Sequence, residues 1–300
     1  MPKKNKLPWI FALSTLIIVS IYYYKLEALA WYFWHNHQAH SAQTNQSLDL
    51  KNYHVEIDGL EIPGLKNASG FTYNTKSNTL FTVLNKESKI VELSLSGKVL
   101  RKIDVTGVND MEDITHIADN RYVIVDEGDN RLVLVVLEDG ATAVDVTNAL
   151  KLRLGINLTS NKNFEGVSWD SKNNRMLVVK ERDPKYILSV KGFFEAKAGD
   201  SLEIKHLAIY DDLIRWSLRD LSAVTYHDGT DSLVLLSDES RLIKEYDTES
   251  RAVGALALWK GFHGLKAHVP QAEGIAIGPD GSIYIMSEPN LFYVFKHRKP

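Results

Sequence analysis

Cysteine is absent from the 300 residues. That excludes disulfides, cysteine-ligated zinc or iron–sulfur centres and a cysteine nucleophile. Charge of one sign is also lacking: 38 acids face 35 bases, leaving a formal charge of −3. No basic block falls on an expected element, so no nucleic-acid partner is expected. Walker loop, dinucleotide fingerprint, His-Glu-x-x-His and Gly-x-Ser-x-Gly are all missing. Apolar runs long enough to span a bilayer are missing beyond the amino terminus. What remains, 44% hydrophobic and 24% charged, is a globular composition with room for one large domain or two ordinary ones. It leaves open a metal on oxygen or histidine ligands, a hydroxyl- or acid-based enzyme, or a binding scaffold.

The one long apolar run follows Lys3, Lys4 and Lys6 and extends from Leu7 to Tyr24. Its 18 residues reach roughly 27 Å as a helix, against about 30 Å of hydrocarbon. Tyr22, Tyr23 and Tyr24, then Trp31, Tyr32 and Trp34, read as an interfacial aromatic belt. The lysines place the amino terminus in the cytoplasm and the rest outside, the periplasm if the source is a Gram-negative bacterium. Residues 7–24 are thus expected to meet a lipid bilayer as an uncleaved single-pass anchor. The alternative is a secreted chain, cleaved after Ala28-Leu29-Ala30 or Ala39-His40-Ser41. The expected division is an anchor and interfacial segment over 1–34, a polar linker over 35–52 and a domain over 53–300. His35, His37 and His40 fall in that linker and read as solvated.

Five segments of the remaining chain look alike. Taking Ser69, Glu112, Glu165, Ser222 and Glu273 as anchors, the residue two places on is always apolar: Phe71, Ile114, Val167, Val224, Ile275. Three places on it is small (Thr72, Thr115, Ser168, Thr225, Ala276), and four places on it is mostly large (Tyr73, His116, Trp169, Tyr226, Ile277). A polar turn, a strand, an acidic turn and a third strand follow in each copy. The anchors are spaced by 43, 53, 57 and 51 residues, within the range of propeller blades. An all-β fold follows, a single β-propeller with five blades favoured. A sixth could hide in the Gly192–Arg219 insertion. Only 28 residues remain from Glu273 onward, so an edge strand at Tyr53–Ile62 is expected to complete the last blade and close the circle.

The Glu-Gly-[Ile/Val] repeats, Asp126-Glu-Gly-Asp-Asn130, the Gly278-to-Ile285 run and the lysine-led anchor resemble the SdiA-regulated family, also called YjiK-like. The likeness covers about Tyr53 to His297. It implies a bacterial propeller tethered to the inner membrane and facing the periplasm, and little about activity. Ser69 and Ser222 depart from the glutamates of the other three blades.

In a propeller, the start of the inner strand and the end of the second strand meet at one mouth of the axis. Glu112, Glu165 and Glu273 should therefore gather there, with the turn acids Asp126, Glu127, Asp129, Glu181, Asp183, Asp238, Glu239 and Glu288 behind them. So many carboxylates repel, and raised pKa values or a bound cation relieve the repulsion. Glu112, Glu165, Glu273, Glu127, Glu181 and Glu288 are the candidate ligands of a hard cation, Ca²⁺ before Mg²⁺. Senescence-marker-type and phosphotriesterase-type propellers look similar in holding calcium through a glutamate early in the first strand, an analogy of folds. The plainer alternative is that the anchor glutamates accept backbone N–H bonds between blades. His116, His263 and His268 are minor acid–base candidates. The expected role is a ligand- or partner-binding module, the partner an envelope protein or a small molecule. The alternative is a metal-dependent hydrolase of lactones, esters or phosphoesters.

Overall fold

Each repeat folds as one antiparallel sheet, and the hairpin turn after its inner strand shows why. Asn78, Asp119, Asn174, Asp231 and Gly281 all have positive φ, the conformation that Asn, Asp and Gly adopt most readily. One such residue stands in the hairpin of every copy, just before the second strand. The computed structural model describes residues 7–41, 47–155, 164–194 and 201–298.

Five sheets result. From the axis outward, blade 1 runs Ala68–Asn74, Thr79–Leu84, Lys89–Leu93 and Val99–Thr106, and blade 2 runs Met111–Ala118, Arg121–Asp126, Arg131–Val136 and Lys151–Arg153. Blade 3 holds Phe164–Asp170, Arg175–Lys180, Tyr186–Lys191 and Glu203–His206; blade 4 holds Ala223–His227, Ser232–Ser237, Leu242–Tyr246 and Ala252–Ala257. Blade 5 contains Ala272–Ile277, Ile283–Ser287 and Leu291–His297, with Tyr53–Glu61 antiparallel to the last of these. A short strand, Ala143–Asp145, leaves blade 2 to pair in parallel with the outer strand of blade 1. The Gly192–Arg219 insertion does not form a sixth blade: among its described residues are the outer strand of blade 3 and a short helix, Asp211–Ser217.

Both faces of every blade are covered. Second strands such as Leu233–Leu236 are buried without alternation, the pattern of a sheet packed on each side. Five apolar clusters fill the gaps between blades 1 and 2, 2 and 3, 3 and 4, 4 and 5, and 5 and 1. The column of small residues acts at the axis. Thr72 Oγ1 accepts the His116 N–H at 3.0 Å, Thr115 Oγ1 accepts the Trp169 N–H at 3.1 Å, and Ser168 Oγ accepts the Tyr226 N–H at 2.8 Å. Hydroxyls thus bond each of these blades to the next where inner strands diverge. Replacing Thr115 with Val keeps the shape and removes the acceptor, which should cost about 1 kcal/mol. A melting temperature lower by roughly 3 °C is the expected reading.

The amino terminus departs from expectation. Helix α1 spans Leu7–Tyr23 and α2 spans Leu26–Ser41. Among the described residues no single helix is long and apolar enough to cross a membrane; Trp9–Tyr23 and Leu26–Gln38 meet that test only together, bent by 69°. The linker expected from residue 35 is helical as far as Ser41, and α2 lies against the domain. Asn36 exchanges two 3.0 Å hydrogen bonds with the Ala255 backbone, satisfying the outer edge of blade 4. Ala28 and Tyr32 join the apolar cluster between blades 3 and 4. His35 is buried, not solvated, and lies 2.8 Å from Lys244 Nζ.

Candidate functional site

Crowding at the axis explains the column that follows the anchors: Gly70, Asp113, Gly166, Ala223 and Gly274. A Cβ on Gly274 would stand 2.6 Å from the Gly70 carbonyl carbon, and one on Gly70 2.4 Å from the Asp113 Cα. Asp113, the sole large member, fills the space its small neighbours leave. Its Oδ1 accepts the N–H groups of Phe71 (3.1 Å) and Ile114 (2.7 Å), and its Oδ2 accepts that of Val167 (2.7 Å). One carboxylate therefore joins the inner strands of blades 1, 2 and 3. Burial pushes its pKa up, and the three N–H donors pull it back.

All five anchors line one cavity of about 270 Å³. Eight carboxylates and one arginine share its wall: Glu112, Glu165, Glu181, Asp220, Asp238, Glu239, Glu273 and Glu288, with Arg182. Burial, then Glu127 and Asp110, raises Glu112 to about 7. Burial, then Asp238 and Glu288, raises Glu273 to about 8. Glu165 is pushed well up by burial and by Glu112, Glu127, Glu181 and Glu273. Desolvation thus comes first in each case, with mutual repulsion behind it.

Among the described residues no backbone N–H donates to the side chain of an anchor glutamate, as the plainer alternative requires. Hydroxyls and Asp113 make those bonds. Among the described residues the side-chain donor to an anchor glutamate is Asn85 Nδ2, 2.8 Å from Glu112 Oε1. Asn85 Oδ1 is buried without a donor, a neutral oxygen on a residue already bonded to the acidic group. Ligand oxygens of Asp110, Glu112 and Glu127 lie within 4.8 Å of one another. Three carboxylates so placed are the donor type of a hard-cation site.

The other candidates divide. Glu288 lines the cavity and is raised by burial. Glu181 is tied to Arg182, which also holds Glu239 Oε1 at 2.6 Å. Asp238 accepts the Ala272 N–H at 3.2 Å. Asp126 and Asp129 are taken by Arg131 at 2.7 and 3.0 Å. Asp183 lines a second cavity. The histidines lie elsewhere: His116 Nε2 bonds the Asp119 carbonyl, and His263 Nδ1 bonds that of Tyr53. His268 Nδ1 accepts the Lys260 N–H.

Asp110, Asp113, Asp220 and Arg182 were not anticipated. Two of them had a signal, since the residue two places before each anchor is Asn67, Asp110, Asn163, Asp220 or Gln271. That column is polar throughout, although Asn163 lies outside the described residues. Asp220 accepts the Glu239 N–H on both oxygens at 3.2 Å and bonds the Ser237 hydroxyl; burial raises it to about 6.

The sequence matches the SdiA-regulated family over residues 45–296. The chain belongs to that family. Among solved structures, this SdiA-regulated propeller is similar to a luciferin-regenerating enzyme, at 12% identity and TM-score 0.50, over 81% of this chain and 95% of that one. It is also similar to a nidogen–laminin complex, at 12% and 0.48, over 74% of this chain and 73% of that one. A streptogramin B lyase matches at 11% and 0.45, over 84% of this chain and all of that one. At 12% identity the likeness to the luciferin-regenerating enzyme is one of fold alone.

Proposed function

We propose that this propeller is a membrane-anchored periplasmic binding module whose acidic cavity holds a divalent cation, calcium before magnesium. The observation that carries the reading is the meeting of Glu112, Glu165 and Glu273, distant in sequence, on one cavity wall. Glu112, with Asp110 and Glu127, supplies the tightest group of oxygens. Glu165, Glu273 and Glu288 add charge around it, and Asn85 offers a neutral oxygen. A cation held there would present its open positions to an anionic ligand or an acidic group on an envelope partner.

Isothermal titration of calcium into the purified protein tests this. A single saturable event in the wild type, abolished by Glu112→Gln with Glu165→Gln, is the expected result. No heat at millimolar calcium would remove the cation from the account. Arg182 is the one cation among the lining residues, so Arg182→Gln should tighten calcium binding several-fold, on the order of threefold to tenfold.

The exposed apolar surface of α1, from Trp9 to Ile21, supports the bilayer assignment of residues 7–24. Ala28 is buried against the domain and Glu27 is paired with Arg219, which favours an uncleaved anchor over secretion after Ala30. A periplasm-dependent reporter fused after Pro300 should be active; activity of a cytoplasm-dependent one would reverse the orientation. In this reading the pairing of Tyr53–Glu61 with Leu291–His297 closes the ring and keeps the cavity rigid.

A metal-dependent hydrolase is the second reading. It is favoured by Glu273, whose pKa near 8 suits a proton acceptor at neutral pH. Turnover of a lactone or phosphotriester with calcium, lost in Glu273→Gln, would establish it.

A further inference from the structure

Exposed apolar side chains outside α1 and α2 are unevenly distributed. Leu60, Leu100, Val136 and Leu150 are spread over blades 1, 2 and 5, whereas Leu202, Ile204, Ile209 and Trp216 fall within one stretch of blade 3 and the segment after it. Single apolar residues on a surface are ordinary; a cluster of four is not. Ile204 belongs to the outer strand of blade 3, Glu203–His206, at the edge of its sheet. Trp216 stands on α3 (Asp211–Ser217), whose Ile214 and Ser217 are buried, so the helix turns its largest apolar side chain outward. His206 Nε2 lies 2.8 Å from Asp211 Oδ1, which joins the strand to the start of α3.

The cluster adjoins α1. Ile18, Ile21 and Tyr22 line a cavity of about 870 Å³ together with His206, Arg215 and Trp216. The end of α1 is fastened there: the Arg219 guanidinium donates to the Tyr22 carbonyl at 2.6 Å, packs over the Tyr22 ring at 4.4 Å and holds Glu27 at 2.5 Å. Arg219 stands two residues past α3, so α1 and α3 keep a fixed relation. Whatever medium surrounds the exposed apolar side chains of α1, from Trp9 to Ile21, therefore lies close to Trp216. Tyr22, Tyr23 and Tyr24 have the chemistry of an interfacial belt, and Trp216 shares a cavity with the first of them. Exposed charges beside the cluster balance, Lys205 and Arg215 against Glu203 and Asp212. Apolar area, not net charge, is what this surface offers.

We propose that Leu202, Ile204, Ile209 and Trp216 seat the outer edge of blade 3 and α3 in the interfacial layer of the same bilayer that holds α1. The inference rests on the membrane-anchored reading above and adds which face of the propeller meets the lipid. The Trp216 ring lies among the upper acyl chains, and Arg215 extends its charge back toward the head groups. Apolar faces of interfacial elements sink roughly 5–10 Å into the boundary between head groups and chains, and the same depth is expected here. Uncharged phospholipid suffices, because the charges at the surface balance. The seat holds at the membrane surface the rim of blades 3 and 4, whose Arg182 and Glu239 line both this cavity and the acidic one.

Spin labelling of the full chain tests the seat, and the absence of cysteine makes a single introduced thiol the one label site. Leu202→Cys, Ile204→Cys, Ile209→Cys and Trp216→Cys, each carrying a nitroxide, are studied one at a time in phosphatidylcholine nanodiscs. Phe11→Cys is the anchor reference, and Leu100→Cys and Leu150→Cys are the solvent references. Each replaces an exposed residue, so the fold is retained. At the four cluster positions, the ratio of collisions with oxygen to collisions with a water-soluble nickel chelate should exceed that at Leu100 and Leu150 several-fold. A lipid-like ratio at Phe11 with solvent-like ratios at Ile209 and Trp216 overturns the seat and leaves the anchor standing. Solvent-like ratios at Phe11 as well overturn both. Ile209→Ser with Trp216→Ser should return the label at Leu202 to the solvent ratio while the label at Phe11 keeps its own. A Leu202 label that stays in lipid in that variant also overturns the proposal, since the apolar cluster would not be what makes the seat.

Discussion

Measured against a Glu112→Gln, Glu273→Gln variant, the calcium-free protein should lose roughly 5 °C of melting temperature as the pH rises from about 5 to about 7, and millimolar calcium should restore it. The sign follows from the anchor carboxyls. Glu112 and Glu273 rise from the ordinary 4.5 to about 7 and about 8 on folding. Above 4.5 the folded protein therefore holds protons that the unfolded chain has released. Stability contributed by those protons is complete below 4.5 and is lost as pH climbs through 7 and 8. Shifts of this size in partly hydrated groups correspond to on the order of 2 kcal/mol together. Lys244 works in the opposite sense, because burial lowers it from 10.5 to about 7. Above 7 the unfolded chain binds its proton more readily, so stability from Lys244 rises with pH as that from Glu273 falls. Below 7 several histidines oppose that fall as well: burial lowers His35 to about 3 and also lowers His116, His227, His263 and His268, so stability from them rises with pH up to about 6.5. The share of Glu112 and Glu273 is therefore read as the difference from their glutamine variants.

At the proposed site calcium would compete with those protons, so its binding should release protons and strengthen with pH. Glu112→Gln with Glu273→Gln separates this account from a merely structural one. Glutamine has the shape of the protonated acid and cannot ionise. At pH 8 without calcium the double variant should melt higher than wild type, and calcium should leave it unmoved. A structural role predicts the reverse, a lower melting temperature at every pH. Differential scanning fluorimetry across pH, with and without calcium, distinguishes the two.

Repetition made the ring legible. A residue that performs the same local task in five blades leaves a column, and the anchor, apolar, small and turn columns each correspond to one physical job at one place. The small column shows the depth of this: Thr72, Thr115 and Ser168 are short because they sit at the axis, and hydroxylated because the next blade offers an N–H. Asp110 and Asp220 lay in a column too, but Asn, Asp and Gln before a strand have the composition of any turn. What breaks the repeat is hardest to foresee. The docking of α2 was invisible because Trp31, Tyr32 and Trp34 suit a bilayer interface and a protein surface equally. Tyr32 meets Phe262 and His263, over 200 positions away in sequence, and no local pattern points to them.

Asp113 is the other break in a repeat, and replacing it should have the largest structural effect in the molecule. Asp113→Ala leaves the N–H groups of Phe71, Ile114 and Val167 buried without acceptors. At about 1 kcal/mol or more each, the loss approaches 3 kcal/mol, or roughly a 10 °C fall in melting temperature. Asp113→Asn is the finer probe. Its single carbonyl oxygen can keep Phe71 and Ile114 while its amide nitrogen faces the Val167 N–H, or the converse. Either way one side of the three-blade junction opens. With the oxygen toward Phe71 and Ile114, hydrogen exchange at Val167 should quicken while exchange at Phe71 stays slow. Glu112 and Glu165 sit on the strands this carboxylate joins, next to Asp113 and two residues before Val167. Calcium affinity should therefore fall in Asp113→Asn although Asp113 is not a proposed ligand, and the pH dependence of the remaining binding should keep its wild-type form. An Asp113→Ala protein that melts with wild type would mean that the junction at the axis is held by something other than this carboxylate.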